Sequence, residues 1–496
     1  MKKITDIFQH FQQTLTDLTS ENSVTELTTD SRLVNSNSVF IALTGENSSG
    51  LNYLSQVEKL GCQLVITDLI NKDKVKNLAI EVLLVEGLVN KLADFAKWFY
   101  NDPSKQLKLV GITGTNGKTS VAHYTAKLLE NQYKVAVLGT LGNGVLGQLI
   151  ATENTTLETV SLNRVLAEFV KQKVEVVVME VSSHAIALGR IKGLNFTVLA
   201  LTQVTRDHLD FHGTIEAYHQ VKKSLFLDYP ADSWVINSAD KMGKSLLART
   251  DFEQIEKVSY GKQKEDTLSV SNILLNQAGI QFKVVFQGTK INFVLKLYGK
   301  FNVENILCAL GICLALVEQD KLTWLQKITT SLDKLKAISG RMELVNKLPQ
   351  VIVDYAHTPE ALQAVLQAVK DHINKPNQKL WLVFGCGGDR DKGKRPLMAK
   401  VAAEYANIAI VTDDNPRFES PQEIVKDILV GFNNLNDTFS FKVIHNRADA
   451  IAYALKKANK NDLIIVAGKG HEPYQDIAGV KTPMLDTELI QRAIKL

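Results

Sequence analysis

The stretch GITGTNGKTS at residues 111–120 limits the folds open to this chain more than any other. It follows the apolar run Leu107-Lys108-Leu109-Val110 and precedes a helical pattern reaching Asn131. A buried strand, a glycine-rich turn and a helix in that order make half of a parallel β-α-β unit. In such a turn, backbone N–H groups and the helix N-terminus converge on an anion. Gly114 and Gly117 let the backbone approach oxygen atoms with no side chain in the way. The usual phosphate loop, G-x-x-x-x-G-K-[ST], would need glycine where Ile112 stands. In the variant spacing, Lys118 is placed to bridge outer phosphates and Thr119 to offer its hydroxyl to Mg²⁺.

A chain of 496 residues is too long for one core and is expected to form two to four domains. Short β-type runs alternate with amphipathic helices, which predicts an α/β protein with parallel sheets. Before residue 104 the strands are SVFIAL (38–43), LVITD (64–68) and EVLLVEG (81–87), and a helix over 89–100 stops at Asn101-Asp102-Pro103. The central block carries LKLVGIT, VEVVVMEVSS (174–183), FTVLALTQV (196–204) and SWVIN (233–237), then the apolar helix 301–318. Beyond Gly340, VIVDY, KLWLVFG, NIAIVT, FKVI and DLIIVAG alternate with helices, as in a doubly wound sheet. The expected domains are 1–104, 105–339 and 340–496.

A net charge of +4, with Lys and Arg interspersed among Asp and Glu, gives no signal for nucleic acid or a membrane surface. Cys62, Cys308, Cys313 and Cys386 include no CxxC pair, and read as reduced thiols. The start, MKKITDIFQHFQQTL, lacks the apolar core of a signal peptide, and nowhere do about 18 apolar residues run together. A cytoplasmic protein is expected.

A nucleotide bound through magnesium needs an acid on a neighbouring strand. MEVSSH (179–184) supplies Glu180 at the end of a strongly apolar strand, and TRDHLDFHG (205–213) holds Arg206, Asp207, His208, Asp210 and His212. Each cluster alone reads as a solvent-facing strand end or a charged loop. After consecutive strands of one parallel sheet, both fall at the edge where the phosphate loop lies, which is where such sheets bind ligands.

Taken in order, GTNGKTS, MEVSSH, TRDHLDFHG, GRMELV, VDYAHTP, FGCGGDRDKGKRPLM, DDNPR and AGKGHE resemble the Mur ligases of peptidoglycan synthesis. The family's loop, G-x-x-G-x-x-G-K-[ST]-[ST], accounts for the unusual spacing. The resemblance implies three domains: an N-terminal α/β domain for the uridine nucleotide, a central P-loop ATPase-like parallel sheet, and a C-terminal Rossmann-like doubly wound sheet. It implies ATP-dependent amide formation through an acyl phosphate, with Mg²⁺ at two sites, and most resembles members that extend UDP-MurNAc-L-Ala-D-Glu by a third amino acid. A monomer acting on small molecules is expected.

The same resemblance implies the residue roles. ATP would lie on Gly114, Thr115, Asn116, Gly117, Lys118, Thr119 and Ser120, with Asn302, Asn305, Arg341, Asp354 and His357 closing the site. Thr119 and Glu180 would hold one magnesium. His208 and a carbamylated Lys222 (N6-carboxylysine) would hold the second, and the adjacent Lys223 could depress the Lys222 amine so that it reacts with CO₂. Lys118, Glu180, His208 and Lys222 are thus the expected catalytic residues. The uridine end would meet Thr29, Ser31, Glu46, Asn47 and Ser48. The dipeptide would meet Asn154, Thr155, Thr156, Ser182 and Arg190, and Leu188 stands where some relatives have glutamine. The amino acid would meet Arg390, Asp414, Asn415, Pro416, Arg417, Gly468 and Glu472. Members adding meso-diaminopimelate carry D-N-P-R, whereas lysine-adding ones replace its arginine by a neutral residue. A guanidinium fork pairs with the extra carboxylate of diaminopimelate and repels the bare ammonium of lysine. The alternatives are a lysine-adding or folate-extending sibling, or a P-loop ATPase or nucleotide-binding regulator that ligates nothing.

Overall fold

Strands covered on both faces are apolar throughout rather than alternating, and the strands beside the glycine loop follow that rule. In a computed structural model describing residues 1–13, 22–45, 48–152, 154–205, 207–276, 278–332, 335–373, 377–432 and 439–495, every residue of Val135–Gly139 and Val176–Glu180 is buried. Two compact units divide the chain, one of residues 1–268 with 306–321, the other of 269–305 with 322–496.

In the first unit, seven strands run in the order Glu256–Gly261, Ala231–Asn237, Phe196–Leu201, Lys108–Thr113, Val176–Glu180, Val135–Gly139 and Gly142–Val145. All are parallel except Gly142–Val145. The register pairs Glu180 with Ile112, so the carboxylate emerges beside the start of the loop. The strand expected over 174–183 ends early, at Glu180. Ser182 caps the helix Ser183–Ala187, its hydroxyl accepting from the Ala185 N–H at 3.1 Å, and this turns the chain out of the sheet. A second parallel sheet has the order Glu26–Thr28, Ser38–Ala42, Leu64–Asp68, Glu81–Val85. Leu88, Leu92, Phe95 and Phe99, at helical spacing, bury one face of the helix Leu88–Phe99 in its core. Burying each such side chain contributes roughly 1.5–3 kcal/mol. That helix ends where Asn101 and Asp102 turn left-handed ahead of Pro103.

The second unit contains, from Ser269 on, a meander that the sequence reading passed over: Leu268–Asn276, Gly279–Phe286 and Thr289–Leu295, all antiparallel. Its second turn is Gln287-Gly288, both at positive φ, the mirror-image turn whose twist suits a hairpin. A six-stranded sheet in this unit has the order Glu343–Lys347, Gln350–Asp354, Leu463–Ala467, Leu380–Phe384, Ile408–Val411, Ser440–Val443. Only its first strand is antiparallel. Leu362, Leu366, Met398 and Ile428 cover one face, and Ile451, Ala454 and Ile490 the other. The doubly wound, parallel α/β architecture is the expected one. No described helix is long and apolar enough to cross a membrane.

Candidate active site

The phosphate loop is held open by its own backbone and by the next strand. Gly114 has φ +148, and a Cβ there would lie 1.9 Å from Thr202 Oγ1. The Thr202 hydroxyl donates to the Asn116 carbonyl at 2.7 Å, and the Thr115 N–H donates to the Gln203 carbonyl at 2.7 Å. Gly117, at φ +87, precedes the helix Lys118–Leu129. Lys118 Nζ donates to the carbonyls of Gly114 (2.9 Å) and Thr115 (3.0 Å), so its ammonium lies over the loop. Asn116 faces solvent, and Ser120 is half-buried in the first helical turn.

Glu180 is 1% exposed, and hydrogen bonds from Thr119 and Thr140 fix its carboxylate. The Thr119 hydroxyl donates to Oε2 at 2.9 Å, and the Thr140 N–H to Oε1 at 2.9 Å. Gly139 leaves the space that Oε1 fills, since a Cβ there would lie 2.2 Å away. Hydroxyl and carboxylate oxygens are the hard donors that magnesium takes, so Thr119 and Glu180 fit that ion. Among the described residues, no group of three His, Cys, Asp or Glu side chains is placed to hold a metal.

Lys222, on the helix Ile215–Asp228, is also 1% exposed. Its Nζ donates to the Gly114 carbonyl at 2.9 Å and lies over the Tyr218 ring. Burial, and then the Lys118 ammonium, hold Lys222 well below the usual lysine range, against the pull of Asp207. The expected influence of Lys223 gives way here to Lys118. Successive helix residues point apart, and Lys223 Nζ donates instead to Ser245 Oγ at 3.4 Å. Tyr218 hydrogen-bonds Thr115 Oγ1 at 2.9 Å, and burial pushes its phenol up to about 12. His208, at φ +49, is half-exposed, with Nε2 3.4 Å from the Asp207 carboxylate and its ring against His184. His212 Nε2 lies 3.0 Å from Ser183 Oγ. Arg206 and the Asp210 side chain lie outside the described residues.

The dipeptide candidates adjoin Glu180 directly. Thr155 Oγ1 is 3.1 Å from Thr140 Oγ1, and the Thr156 hydroxyl donates to the Glu180 carbonyl at 2.8 Å. The Ser182 N–H donates to Thr156 Oγ1, and Arg190 donates to the Thr156 carbonyl at 3.0 Å. Asn154 and Leu188 face solvent. Thr29 and Ser31 follow the strand Glu26–Thr28, while Ser48 follows its neighbour Ser38–Ala42, so these loops leave the same edge. Glu46 and Asn47 lie outside the described residues.

In the second unit, Asp354 is buried and accepts from the Met342 and Ala356 N–H groups, each at 2.8 Å. Burial raises its carboxyl above the ordinary value despite both bonds. The Arg341 guanidinium lies 4.7 Å from the Tyr355 ring, and His357 packs on the same ring. Asn305 donates to Asn302 Oδ1, and Asn302 to the Tyr298 carbonyl, a chain that ties down a helix start.

The amino-acid candidates gather on loops leaving three adjacent strands: Leu463–Ala467, Leu380–Phe384 and Ile408–Val411. Arg417 Nη1 donates to the Gly388 carbonyl at 2.8 Å. A Cβ on Gly387 would lie 2.9 Å from Arg417 Nη1 and 3.8 Å from Arg390 Cγ, so both arginines border this glycine pair. The Gly388 N–H donates to the Asn415 carbonyl. Pro416 and Asn415 are buried, and Asn415 Nδ2 donates to Glu472 Oε2 at 2.9 Å. Two residues escaped the sequence reading. Lys469 is fully buried and donates to Glu472 Oε2 at 2.8 Å, so Glu472 does not stand alone. Arg395, also fully buried, pairs with Glu419 and Asp427 and donates to the Gly387 carbonyl. Both sit beside motif residues, in AGKG and DKGKRPL, where a charged side chain reads as exposed.

Parallel sheets with a phosphate loop, a buried acid and a buried lysine at one carboxyl edge define a P-loop nucleotide-binding protein. Comparisons narrow the class. Residues 112–313 match the Mur ligase middle domain, and residues 340–470 match the Mur ligase, glutamate ligase domain. The chain is 38% identical over 486 residues to a UDP-N-acetylmuramoyl-L-alanyl-D-glutamate--2,6-diaminopimelate ligase of Coxiella burnetii, covering 96% of this chain and 97% of that one. It is 37% identical to the ligase of the same name from Chromobacterium violaceum, covering 94% and 93%. A solved structure bearing that name superposes with TM-score 0.71 at 32% identity, covering 100% of this chain and 99% of the other. The UDP-N-acetylmuramoylalanyl-D-glutamyl-2,6-diaminopimelate--D-alanyl-D-alanyl ligase of Acinetobacter baumannii, at 19% identity and TM-score 0.64 over 92% of each chain, shares the fold. The chain belongs to the Mur ligase family and is an ATP-dependent ligase.

Proposed function

We propose that this ligase joins meso-2,6-diaminopimelate to the D-Glu side-chain carboxylate of UDP-MurNAc-L-Ala-D-Glu, in the cytoplasm and as a monomer. A carboxylate repels an amine nucleophile, so it must first be activated. The γ-phosphoryl group of ATP passes to the D-Glu carboxylate, giving an acyl phosphate. The amine of diaminopimelate attacks its carbonyl carbon, and phosphate departs from the tetrahedral intermediate to leave the amide. Such chemistry needs positioning and charge neutralisation more than a protein nucleophile.

In this reading the functional domains are 1–104, 105–339 and 340–496. The loop 114–120 cradles the phosphates and Lys118 neutralises the outer ones. Thr119 and Glu180 hold one Mg²⁺, His208 and a carbamylated Lys222 a second. Bound there, magnesium would neutralise phosphate charge. A buried amine depressed by burial and by Lys118 supports the carbamate, because only the neutral amine reacts with CO₂. Thr29, Ser31 and the 46–48 loop face the uridine nucleotide. Asn154, Thr155, Thr156, Ser182 and Arg190 face the dipeptide, and the hydrogen bonds linking Thr155 and Thr156 to the Glu180 neighbourhood favour this. Asn302, Asn305, Arg341, Asp354 and His357 complete the nucleotide site.

One observation carries the choice of amino acid: Arg417 and Arg390 bordering Gly387, with Asp414 and Glu472 beside them. That set offers cations to a carboxylate and acids to an ammonium, which is the distal end of diaminopimelate. L-lysine, the runner-up, lacks the carboxylate. The test is phosphate release from ATP, expected only when UDP-MurNAc-L-Ala-D-Glu and meso-diaminopimelate are both present. Release with neither would identify an ATPase, and equal release with L-lysine would overturn the assignment.

A further inference from the structure

We infer that Lys469 is a positioning residue that sets the charge of the amino-acid pocket through Glu472, so that a side chain ending in ammonium alone is refused. This rests on the assignment of that pocket to diaminopimelate. Lysine is among the residues least often fully buried, and a buried ammonium must be offset by its partners. Lys469 is 0% exposed. Its Nζ donates to Glu472 Oε2 at 2.8 Å and to Asn415 Oδ1 at 3.0 Å, and lies 4.0 Å from Asp414 Oδ1.

The loop is shaped to bring the lysine inward. Gly468 and Gly470 flank it at φ +113 and +54, and a Cβ on Gly468 would lie 2.6 Å from Asp414 Oδ2. Both the Lys469 ammonium and the Asn415 amide converge on the same oxygen of Glu472, and no described hydrogen bond ends on Oε1. Glu472 therefore keeps an acceptor for a ligand ammonium while its charge is largely matched. Without Lys469, Asp414 and Glu472 would form a doubly anionic pocket attractive to any ammonium. With it, an ammonium binds well only when the same ligand also brings a carboxylate to Arg417. Selectivity built this way penalises the wrong ligand as well as rewarding the right one.

Steady-state kinetics of the full-length enzyme, with meso-diaminopimelate and L-lysine as alternative substrates, test this through the ratio of their kcat/KM values. Lys469→Met is expected to narrow the ratio about tenfold, mainly through the two amino-acid KM values, since a lost charge contact of this kind shifts affinity by at least that much. KM for ATP and for the uridine nucleotide should stay put. Glu472→Gln, which leaves Lys469 unmatched, should widen the ratio instead. The double variant, which removes both charges, should return it toward wild type. A merely structural lysine would lower kcat/KM for both amino acids in parallel, and unchanged ratios would overturn the inference. Should Lys469→Met not fold, Glu472→Gln and the double variant still decide. A ratio that does not widen in the first, or does not fall back in the second, refutes it. A wild-type enzyme that fails to use diaminopimelate would instead sink the pocket assignment on which this rests.

Discussion

Replacing Arg417 tests the pocket most sharply, because the structure superimposes two effects at that residue. Its backbone has φ +51, a left-handed conformation that costs an L side chain about 1–2 kcal/mol. The strain cannot relax freely, since the Arg417 N–H donates to the Asp476 carbonyl and its own carbonyl accepts from the Ala478 N–H. Arg417→Gly removes guanidinium and strain together, whereas Arg417→Ala removes the guanidinium alone. Glycine should therefore be the more stable of the two by up to about 1 kcal/mol in thermal or denaturant unfolding. The effect on ligand should be common to both. A forked pairing of guanidinium with carboxylate makes two charge-assisted hydrogen bonds of about 1.5–3 kcal/mol each. Arg417 is only partly buried, so about 3–4 kcal/mol is the expected loss, which corresponds to roughly 10²–10³ in KM for meso-diaminopimelate. A continuous phosphate-release assay with diaminopimelate varied gives that KM, and ATP varied gives the control, expected unchanged. A diaminopimelate KM within about twofold of wild type in both variants would refute the pairing, the margin being well under one factor of ten. A loss in the alanine variant that glycine restores would locate the effect in the backbone instead.

Gly114→Ala places a methyl 1.9 Å from Thr202 Oγ1 at φ +148, so ATP-analogue affinity should fall by at least tenfold, about 1.4 kcal/mol, as measured by calorimetry. Unaltered affinity would show the loop does not need this approach. Lys222→Ala should abolish turnover, with partial rescue by a short carboxylate such as formate; rescue by an added amine would contradict the carbamate. The Arg395 guanidinium holds the Glu419 carboxyl well below its ordinary value of 4.5. A folded value below the unfolded one stabilises the protein above that pH, and the contribution is lost as pH falls through the folded value. Glu419→Gln should thus lower the melting temperature at about pH 7 and flatten its decline below about pH 4.5. An equal decline in both proteins would show that this ion pair does not govern acid stability.

The local pattern of the chain determined a good deal. Continuous apolar runs such as VVVME and LIIVA specified strands buried on both faces, and glycine with lysine after the strand Lys108–Thr113 specified a phosphate loop. Side-chain period and turn chemistry are local properties, so these elements stand where the sequence puts them. Element ends were less legible: the strand into Glu180 stops early because Ser182 finds the Ala185 N–H, and the Gln287-Gly288 hairpin uses a turn pair weaker in signal than Asn-Gly. What only the tertiary structure decided is the state of the charged groups. Lys222 and Lys223 are adjacent and identical in composition, yet one is buried beside Lys118 and the other only half-buried beside Ser245. Lys469 and Arg395 look like surface residues in the sequence and prove fully buried. The physical reason is that desolvation and charge pairing depend on atoms brought in from distant segments, such as Asn415 against Lys469, and no spacing within a segment encodes those distances.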